Sequence, residues 1–270
     1  MRRRIHEGRT VGERVRSDFD EGLMTLTLVR PEAGNAMDGQ CSIELREAAM
    51  RCGLREDVRA VLIRGEGRDF CFGGDLQFMG GADDVPWAIR STVVDFHLAI
   101  LQFATMTAPV VVAVNGAAAG AGLALAAVGD YVIGADNAKF AFAYDAVGLS
   151  GDGGVSWTLP RLIGMRAYKD IVFGGRRVSA EEALKIGLLS EIIAASDLDA
   201  AALAHARRLA AGPTQAYGAI KRLANQCFTS DFAGQLDLEA RTVSELARSA
   251  DVGNAIAALL TKKKPVFDGR

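Results

Sequence analysis

The chain has few of the residues that characterise several common protein classes. Its 270 residues include only four cysteines and three histidines, and the cysteines form neither a metal-type pair nor a dense disulfide framework. No apolar run approaches the ~20 residues that a membrane-spanning helix needs. A formal net charge of −2 provides no basic field for nucleic acid or for an acidic membrane. We therefore expect a cytoplasmic protein with reduced thiols, no metal, no nucleic-acid partner and no membrane association.

The first twenty residues are rich in arginine, yet their composition does not fit a targeting peptide. Glu7, Glu13, Asp18 and Asp20 lie within this stretch, whereas transit peptides are poor in acidic residues. The apolar segment of a secretory signal is also absent. We expect a solvated tail that leads into the first strand.

Hydrophobic periodicity predicts alternating strands and helices, followed by helices alone. Half of the residues are hydrophobic, which is enough for one sizeable core. The predicted strands are residues 23–28, 61–63, 109–114 and 130–133, and the first predicted helices are residues 38–50 and about 87–105. From about residue 196, helical periodicity continues through four short helices. We predict an α/β core at residues 1–195 and a helical C-terminal module at residues 196–270.

Two predicted turns between a strand and a helix consist largely of residues with little or no side chain. The first loop is residues 72–76, Phe-Gly-Gly-Asp-Leu, and the second loop is residues 120–122, Gly-Ala-Gly. The first amides of a helix lack intrahelical partners and carry partial positive charge, so an oxygen of a ligand could approach them here. Close backbone packing explains either loop alone equally well. Neither loop has the sequence of a phosphate-binding or dinucleotide-binding turn.

Further motifs accompany these loops in a characteristic order. They are residues 30–37 (RPEAGNAM), 109–116 (PVVVAVNG), 148–154 (GLSGDGG), 159–162 (LPRL) and 264–270 (KPVFDGR). Together with the first loop, they resemble the landmarks of the crotonase (enoyl-CoA hydratase/isomerase) family in order and spacing. The resemblance covers nearly the whole chain from about Leu23 onward. Several linked motifs make it far more specific than one glycine-rich loop.

The resemblance implies an α/β fold, a crotonase-like spiral of ββα units with a C-terminal helical trimerisation module. It also implies a homotrimer or hexamer, an acyl-CoA substrate and no cofactor, because coenzyme A is part of the substrate. By position, the amides of Gly74 and Ala121 hold the thioester oxygen, and these residues with Asp75, Leu76 and Gln77 bind the substrate. Fixed amide dipoles stabilise an enolate oxyanion, and loss of one such donor slows a reaction by roughly 10²–10³.

The acid–base residues differ from those of the family's hydratases. Hydratases carry two glutamates, at positions occupied here by Ala124 and Tyr144. Asp152 falls where several family isomerases and the 4-chlorobenzoyl-CoA dehalogenases place a catalytic aspartate. One carboxylate facing the acyl group is sufficient to move a proton between two carbons, so we predict a double-bond isomerase that uses Asp152. Alternatively, Asp152 is a turn residue that caps a helix beginning near Gly153.

Other functions remain open at this point. A hydratase would have to act without the usual glutamates, and a non-catalytic paralogue would only bind acyl-CoA. A dehalogenase-like hydrolase would use Asp152 and His97, since His97 falls where dehalogenases have their base, although Tyr144 replaces their tryptophan. The default interpretation of His97 is a hydrogen-bonded core histidine. An RNA-binding member would need a basic helix, and a peptidase would need a Gly-x-Ser-x-Gly elbow; neither pattern is present.

Overall fold

The structure, a computed structural model, describes residues 12–270. Within this range, the strands are β1 (Val15–Asp20), β2 (Leu23–Leu28), β3 (Ala60–Gly65), β4 (Val110–Val114), β5 (Ala117–Ala119), β6 (Tyr131–Ala135), β7 (Lys139–Ala141), β8 (Arg177–Ser179) and β9 (Glu191–Ile193). The α-helices are α1 (Gly39–Leu54), α2 (Leu76–Gly80), α3 (Val85–Thr105), α4 (Ala121–Ala127), α5 (Val155–Gly174), α6 (Ala180–Lys185), α7 (Leu198–Ala210), α8 (Thr214–Gln226), α9 (Phe232–Leu246) and α10 (Ala250–Leu260).

The strands in this part of the chain form two sheets. The larger sheet has six strands in the order β1-β2-β3-β4-β6-β9, and its neighbours are parallel except for β1 and β2. The smaller sheet has three strands in the order β5-β7-β8. The chain passes repeatedly from the larger sheet to the smaller one and then into a helix, as in β4-β5-α4 and β6-β7-α5. The predicted α/β spiral of ββα units is therefore confirmed.

The larger sheet is buried on both faces, which explains the uninterrupted apolar runs of its central strands. On one face, Ile63 and Val112 belong to a core that also contains Leu45 of α1. On the other face, Leu62 and Val111 pack in a second core with residues of α7. The α7 residues in that core are Leu198, Ala202, Ala206 and Ala210. Thus α7, the first helix of the predicted C-terminal module, covers the second face of the sheet.

Most predicted elements are present with small shifts of their ends, and the four helices after residue 196 are confirmed. The expected tail is wrong in part, because residues 15–20 form strand β1, whereas residues 1–11 lie outside the described residues. The turn before α4 contains the unpredicted short strand β5. Among the described helices, none combines the length and apolar character needed to cross a membrane.

Candidate active site

The two glycine-rich loops lie directly against each other. A Cβ atom placed on Gly73 would be 2.8 Å from the carbonyl oxygen of Ala119 and 3.2 Å from the amide nitrogen of Ala121. Gly73 also has a positive φ of +93°, a conformation that favours glycine. Only glycine therefore permits this approach of the first loop to the second.

Backbone hydrogen bonds hold the first loop in place from two sides. On one side, Cys71 donates to the carbonyl of Ala117 at 3.0 Å and accepts from the amide of Ala119 at 2.9 Å. On the other side, the amide of Met37 donates to Gly73 at 2.7 Å, and the amide of Asp75 donates back to Met37 at 2.9 Å. Burial raises the pKa of the Cys71 thiol to about 12, so this cysteine is a packed neighbour rather than a nucleophile.

This arrangement leaves the amides of Gly74 and Ala121 outside the backbone pairing. The pairing of Met37 with Gly74 uses the carbonyl of Gly73 and the amide of Asp75, but not the amide of Gly74. Ala121 is the first residue of α4, and its N-cap residue Gly120 has no side chain to cap the helix. First-turn amides have no intrahelical acceptor. Both amides can therefore donate to an oxygen atom of a ligand.

Two adjoining cavities surround these amides. The large cavity has a volume of about 530 Å³. Its walls include Arg30, Gly74, Asp75, Leu76, Gln77, Met79, Ile89, Gly120, Tyr144 and Asp152. The small cavity has a volume of about 20 Å³. Its walls are Met37, Ser42, Gly74, Met79, Ile89, Thr92, Val93, Phe96, Ala121 and Asp152. Gly74 and Asp152 therefore lie at the junction between a space large enough for an extended ligand and a compact inner space.

The Asp152 carboxylate has a specific partner in the site. The phenol of Tyr144 donates a hydrogen bond to Oδ1 of Asp152 at 2.6 Å. Burial raises the pKa of Asp152 above its ordinary value, and the hydrogen bond from Tyr144 offsets this only partly. Burial and the neighbouring Asp152 also raise the pKa of Tyr144, so the phenol keeps its proton and remains a donor.

The alternative interpretation of Asp152 as a helix cap is wrong. Helix α5 begins at Val155, its N-cap is Gly154, and no side chain caps it. The Asp152 carboxylate instead bonds to Tyr144. A turn with positive φ at Gly153 and Gly154 brings Asp152 to the cavity before the helix starts. From the sequence, Tyr144 was a possible site residue because it stands where hydratases have a glutamate and dehalogenases a tryptophan, but its hydrogen bond to Asp152 had no signal there.

His97 lies beside Asp152 but not in the core. Its side chain is exposed in this chain, so the expectation of a core histidine is wrong, although the expected hydrogen bond is present. Nε2 accepts a hydrogen bond from the amide of Gly153 at 2.9 Å, and an accepting Nε2 requires the neutral tautomer with its proton on Nδ1. His97 does not line either cavity. It holds the backbone next to Asp152 from the outside.

The position of the other hydratase glutamate is closed by packing. Ala124 is only 2% exposed. A Cβ atom on Gly153 would lie 2.6 Å from the Cβ atom of Ala124 and 2.5 Å from the ring of Phe96. The absence of side-chain atoms at Gly153 thus allows α4 and the segment that carries Asp152 to meet. Ala124 is therefore packed closely against the segment that carries Asp152.

Asp75, the residue after Gly74, belongs to a cluster of charged side chains that was not predicted from the sequence. Arg30 forms ion pairs with both Asp38 and Asp75. Oδ1 of Asp75 also accepts hydrogen bonds from the amides of Gln77 at 2.8 Å and Phe78 at 3.0 Å. Burial alone would raise the pKa of Asp75, but these amides and Arg30 lower it overall. The Asp75 carboxylate is therefore ionised at neutral pH and ties the first loop to the end of β2.

Comparisons with known proteins bear on what this site does. The sequence model of a family described as Enoyl-CoA hydratase/isomerase matches residues 18–270. A probable enoyl-CoA hydratase of Rhodobacter capsulatus is 37% identical over 257 residues, which cover 95% of this chain and 98% of the relative. The 1,2-epoxyphenylacetyl-CoA isomerase of Escherichia coli is 36% identical over 264 residues, which cover 96% of this chain and 99% of the relative.

A solved structure extends the likeness to the fold. The crystal structure of a protein from Mycobacterium abscessus, assigned as an enoyl-CoA hydratase/isomerase, superposes on this chain with a TM-score of 0.91 at 35% sequence identity. The superposition covers 95% of this chain and all of that one, 100%. The similarity of the fold therefore extends over nearly the whole length of both chains.

Proposed function

As a member of the enoyl-CoA hydratase/isomerase family, this chain acts on an acyl-CoA thioester, and we propose that it moves a double bond within the acyl group, with Asp152 as acid and base. The observation that carries this proposal is the Asp152 carboxylate at the wall of the small cavity, which Gly74 and Ala121 also line. Among the described residues, Asp152 is the one carboxylate in that wall. A relative that covers nearly the whole chain is likewise named as an isomerase.

The proposed reaction is a proton transfer between two carbons of the acyl group. The amides of Gly74 and Ala121 donate to the thioester oxygen and stabilise the negative charge that develops on it when C2 loses a proton. The Asp152 carboxylate takes the proton from C2 of a 3-enoyl-CoA and returns it to C4, which gives the 2-enoyl-CoA. A pKa raised by burial suits a group that must both accept and release a proton.

The large cavity provides a place for the CoA portion of the substrate. Asp75, Leu76 and Gln77 follow Gly74 directly and line this cavity, so backbone contacts along them would hold the thioester in register with the two amides. The Arg30–Asp75 ion pair positions the same segment. We propose no cofactor, because the proton transfer uses only the carboxylate and the two amides.

Two contacts favour isomerisation over the other reactions of the family. Ala124 is buried against the segment at Gly153, and among the residues that the structure describes, the wall of the small cavity has no second carboxylate that could activate water. Nε2 of His97 is bonded to the amide of Gly153, whereas a dehalogenase-like hydrolysis would need a free imidazole nitrogen that faces the substrate.

The products formed from two substrates test the proposal. Wild type should convert a 3-enoyl-CoA into the 2-enoyl-CoA, and Asp152→Asn should slow this conversion by roughly 10²–10⁴, the usual contribution of a placed acid–base group. Asp145→Asn is a matched control, since Asp145 is exposed and lines neither cavity of the site. Isomerisation at the wild-type rate by Asp152→Asn would contradict the assignment. Formation of only a 3-hydroxyacyl-CoA from a 2-enoyl-CoA would indicate a hydratase instead.

We also propose that residues 196–270 form a module that assembles the protein into a homotrimer or hexamer. Helices α9 and α10 have large apolar side chains that this chain alone leaves exposed. Among them are Phe232 at 80%, Val243 at 65%, Leu259 at 62% and Leu260 at 81% exposed. Apolar surface of this extent is characteristic of an interface between subunits.

A further inference from the structure

The hydroxyl group of Ser42 is a buried polar group without a partner. Ser42 lies in α1 and is 0% exposed, and within residues 12–270 its Oγ atom has no hydrogen-bond partner. A serine inside a helix commonly donates to a carbonyl of the preceding turn. Here only the backbone amide of Ser42 does so, to Asp38 at 3.1 Å. The side-chain hydroxyl therefore keeps both its donor and its acceptor capacity.

The second hydroxyl in the wall of the small cavity behaves differently. Thr92 in α3 donates to the carbonyl of Ala88 at 2.9 Å, so its proton is already in use. Buried polar groups without partners are infrequent in folded proteins because each one loses its hydration without compensation. Alanines occupy other buried positions of α1, including Ala48 and Ala49. A serine at residue 42 therefore calls for an explanation beyond packing.

The position of Ser42 indicates what its partner would be. Ser42 lines the small cavity together with Gly74, Ala121 and Asp152. The volume of about 20 Å³ is sufficient for a single atom of the size of a water oxygen. In the proposed reaction the thioester oxygen lies at Gly74 and Ala121 and the reacting carbons lie at Asp152, so a partner of Ser42 would be next to them. A serine hydroxyl can both donate to and accept from such an atom.

We infer that Ser42 binds an oxygen substituent on the acyl group of the substrate, close to the thioester. The substrate class is then an acyl-CoA with a hydroxyl, ether, epoxide or carbonyl oxygen near the reacting carbons, rather than a plain hydrocarbon chain. This inference rests on the proposed function, because it takes the acyl group to lie in the large cavity with an oxygen substituent directed into the small one. It makes Ser42 a residue that determines specificity, whereas Asp152 transfers the proton.

Binding of unreactive substrate analogues tests this inference independently of the isomerisation. Two pairs of saturated thioesters serve as probes: 3-hydroxybutanoyl-CoA against butanoyl-CoA, and 4-methoxybutanoyl-CoA against hexanoyl-CoA. Because these compounds contain no double bond to move, their Kd values from titration calorimetry do not depend on Asp152 chemistry. In at least one pair, wild type should bind the oxygen-bearing member roughly tenfold more tightly, the effect of one buried hydrogen bond. Ser42→Ala should abolish that preference.

A second measurement separates ligand binding from a structural role. Ser42→Ala should raise the Tm of the ligand-free protein, because it removes an uncompensated buried hydroxyl. Thr92→Val is the matched control in the same wall, since it removes a hydroxyl that already has a partner. That control should lower the Tm and leave the ratio of the Kd values within each pair unchanged.

Several outcomes would overturn the inference. If wild type bound both members of each pair with equal affinity, the inference would be wrong. This result needs no variant, so it would hold even if Ser42→Ala failed to fold. Equal weakening of all four thioesters in Ser42→Ala would assign the hydroxyl to a bound water molecule. An unchanged preference in that variant would show that another group contacts the oxygen. If wild type did not isomerise a 3-enoyl-CoA but still bound the oxygen-bearing thioester more tightly, and Ser42→Ala lost this difference, the proposed reaction would be contradicted but the role of Ser42 would not.

Discussion

The phenol of Tyr144 donates a hydrogen bond to the carboxylate of Asp152 at 2.6 Å. Tyr144 occupies the position of a hydratase glutamate, but it acts here as a hydrogen-bond donor and not as a carboxylate. Tyr144 is 7% exposed and cannot lose its proton near neutral pH, since burial and Asp152 raise its pKa. The pair therefore contains one group that ionises and one neutral donor that stabilises the ionised form. Burial acts against this stabilisation and leaves the pKa of Asp152 raised.

The pH dependence of isomerisation should reflect this balance. Because abstraction of the proton needs the ionised carboxylate, kcat/KM should fall in acid at a pH above the ordinary aspartate pKa of about 3.9. Tyr144→Phe removes the donor that favours the charged form, so the acid limb should move to higher pH. A profile of kcat/KM against pH for both proteins measures the shift. An acid limb that stays in place, or moves to lower pH, would contradict a stabilising role of Tyr144.

The stability of Asp152→Asn should change in the direction opposite to its activity. The pKa of Asp152 is raised in the folded state, so its contribution to stability is present at low pH and is lost as the pH rises through the folded-state value. At neutral pH the ionised carboxylate therefore destabilises the fold, and asparagine avoids this penalty. We expect a higher Tm for Asp152→Asn at pH ~7 and a smaller difference in acid. A lower Tm at neutral pH would show that the carboxylate stabilises the fold.

Removal of a single amide hydrogen tests the Ala121 donor. Ala121 is the first residue of α4, a position that tolerates proline because its N–H has no intrahelical acceptor. Ala121→Pro should therefore fold, yet lower kcat/KM by roughly 10²–10³, the effect of one lost oxyanion donor. Ala121→Gly keeps the amide and should be far milder. A folded proline variant with wild-type turnover would exclude this amide from the site.

Substitution of His97 distinguishes an isomerase from a dehalogenase-like hydrolase. In His97→Gln, the side-chain oxygen can accept from the Gly153 amide in place of Nε2, so isomerisation should remain close to wild type. His97→Leu cannot accept this bond and should lower the rate by disturbing the placement of Asp152. Steady-state rates with a 3-enoyl-CoA give the comparison. With 4-chlorobenzoyl-CoA, attack of the Asp152 carboxylate on the ring would release chloride, and accumulation of the resulting aryl ester in His97→Gln would support the hydrolase.

The exposed apolar side chains of α9 and α10 predict an oligomer. Light scattering at micromolar concentration should give three or six times the chain mass of 28.6 kDa. Introducing charge at the two helices with Phe232→Arg and Leu260→Arg should reduce this mass, because both side chains would lose apolar burial between subunits. A monomeric wild type would refute the proposed assembly, and an unchanged mass for the double variant would place the interface elsewhere.

Some elements were predicted well because their signals are local. The run at residues 109–114 is apolar throughout and the run at residues 130–133 is apolar after Asp130, as is typical of buried parallel strands, and they form β4 and β6. Strand β1 was missed because five of its six residues are only partly buried, so its edge position leaves little apolar alternation. The three alanines of β5 have little intrinsic strand preference. Their pairing with β7 and with Cys71 makes them a strand.

The sequence by itself determined that strands alternate with helices before helices continue alone, where the two loops without bulky side chains lie, and which family the chain resembles. Periodicity and small residues are properties of neighbouring positions, so they can be read without the fold. Only the tertiary structure decided that Tyr144 bonds to Asp152, that His97 supports Gly153 from outside the core, and that Ser42 lines the small cavity. These contacts join separate segments of the chain, and which side chains face one another there depends on how the helices pack against the sheets.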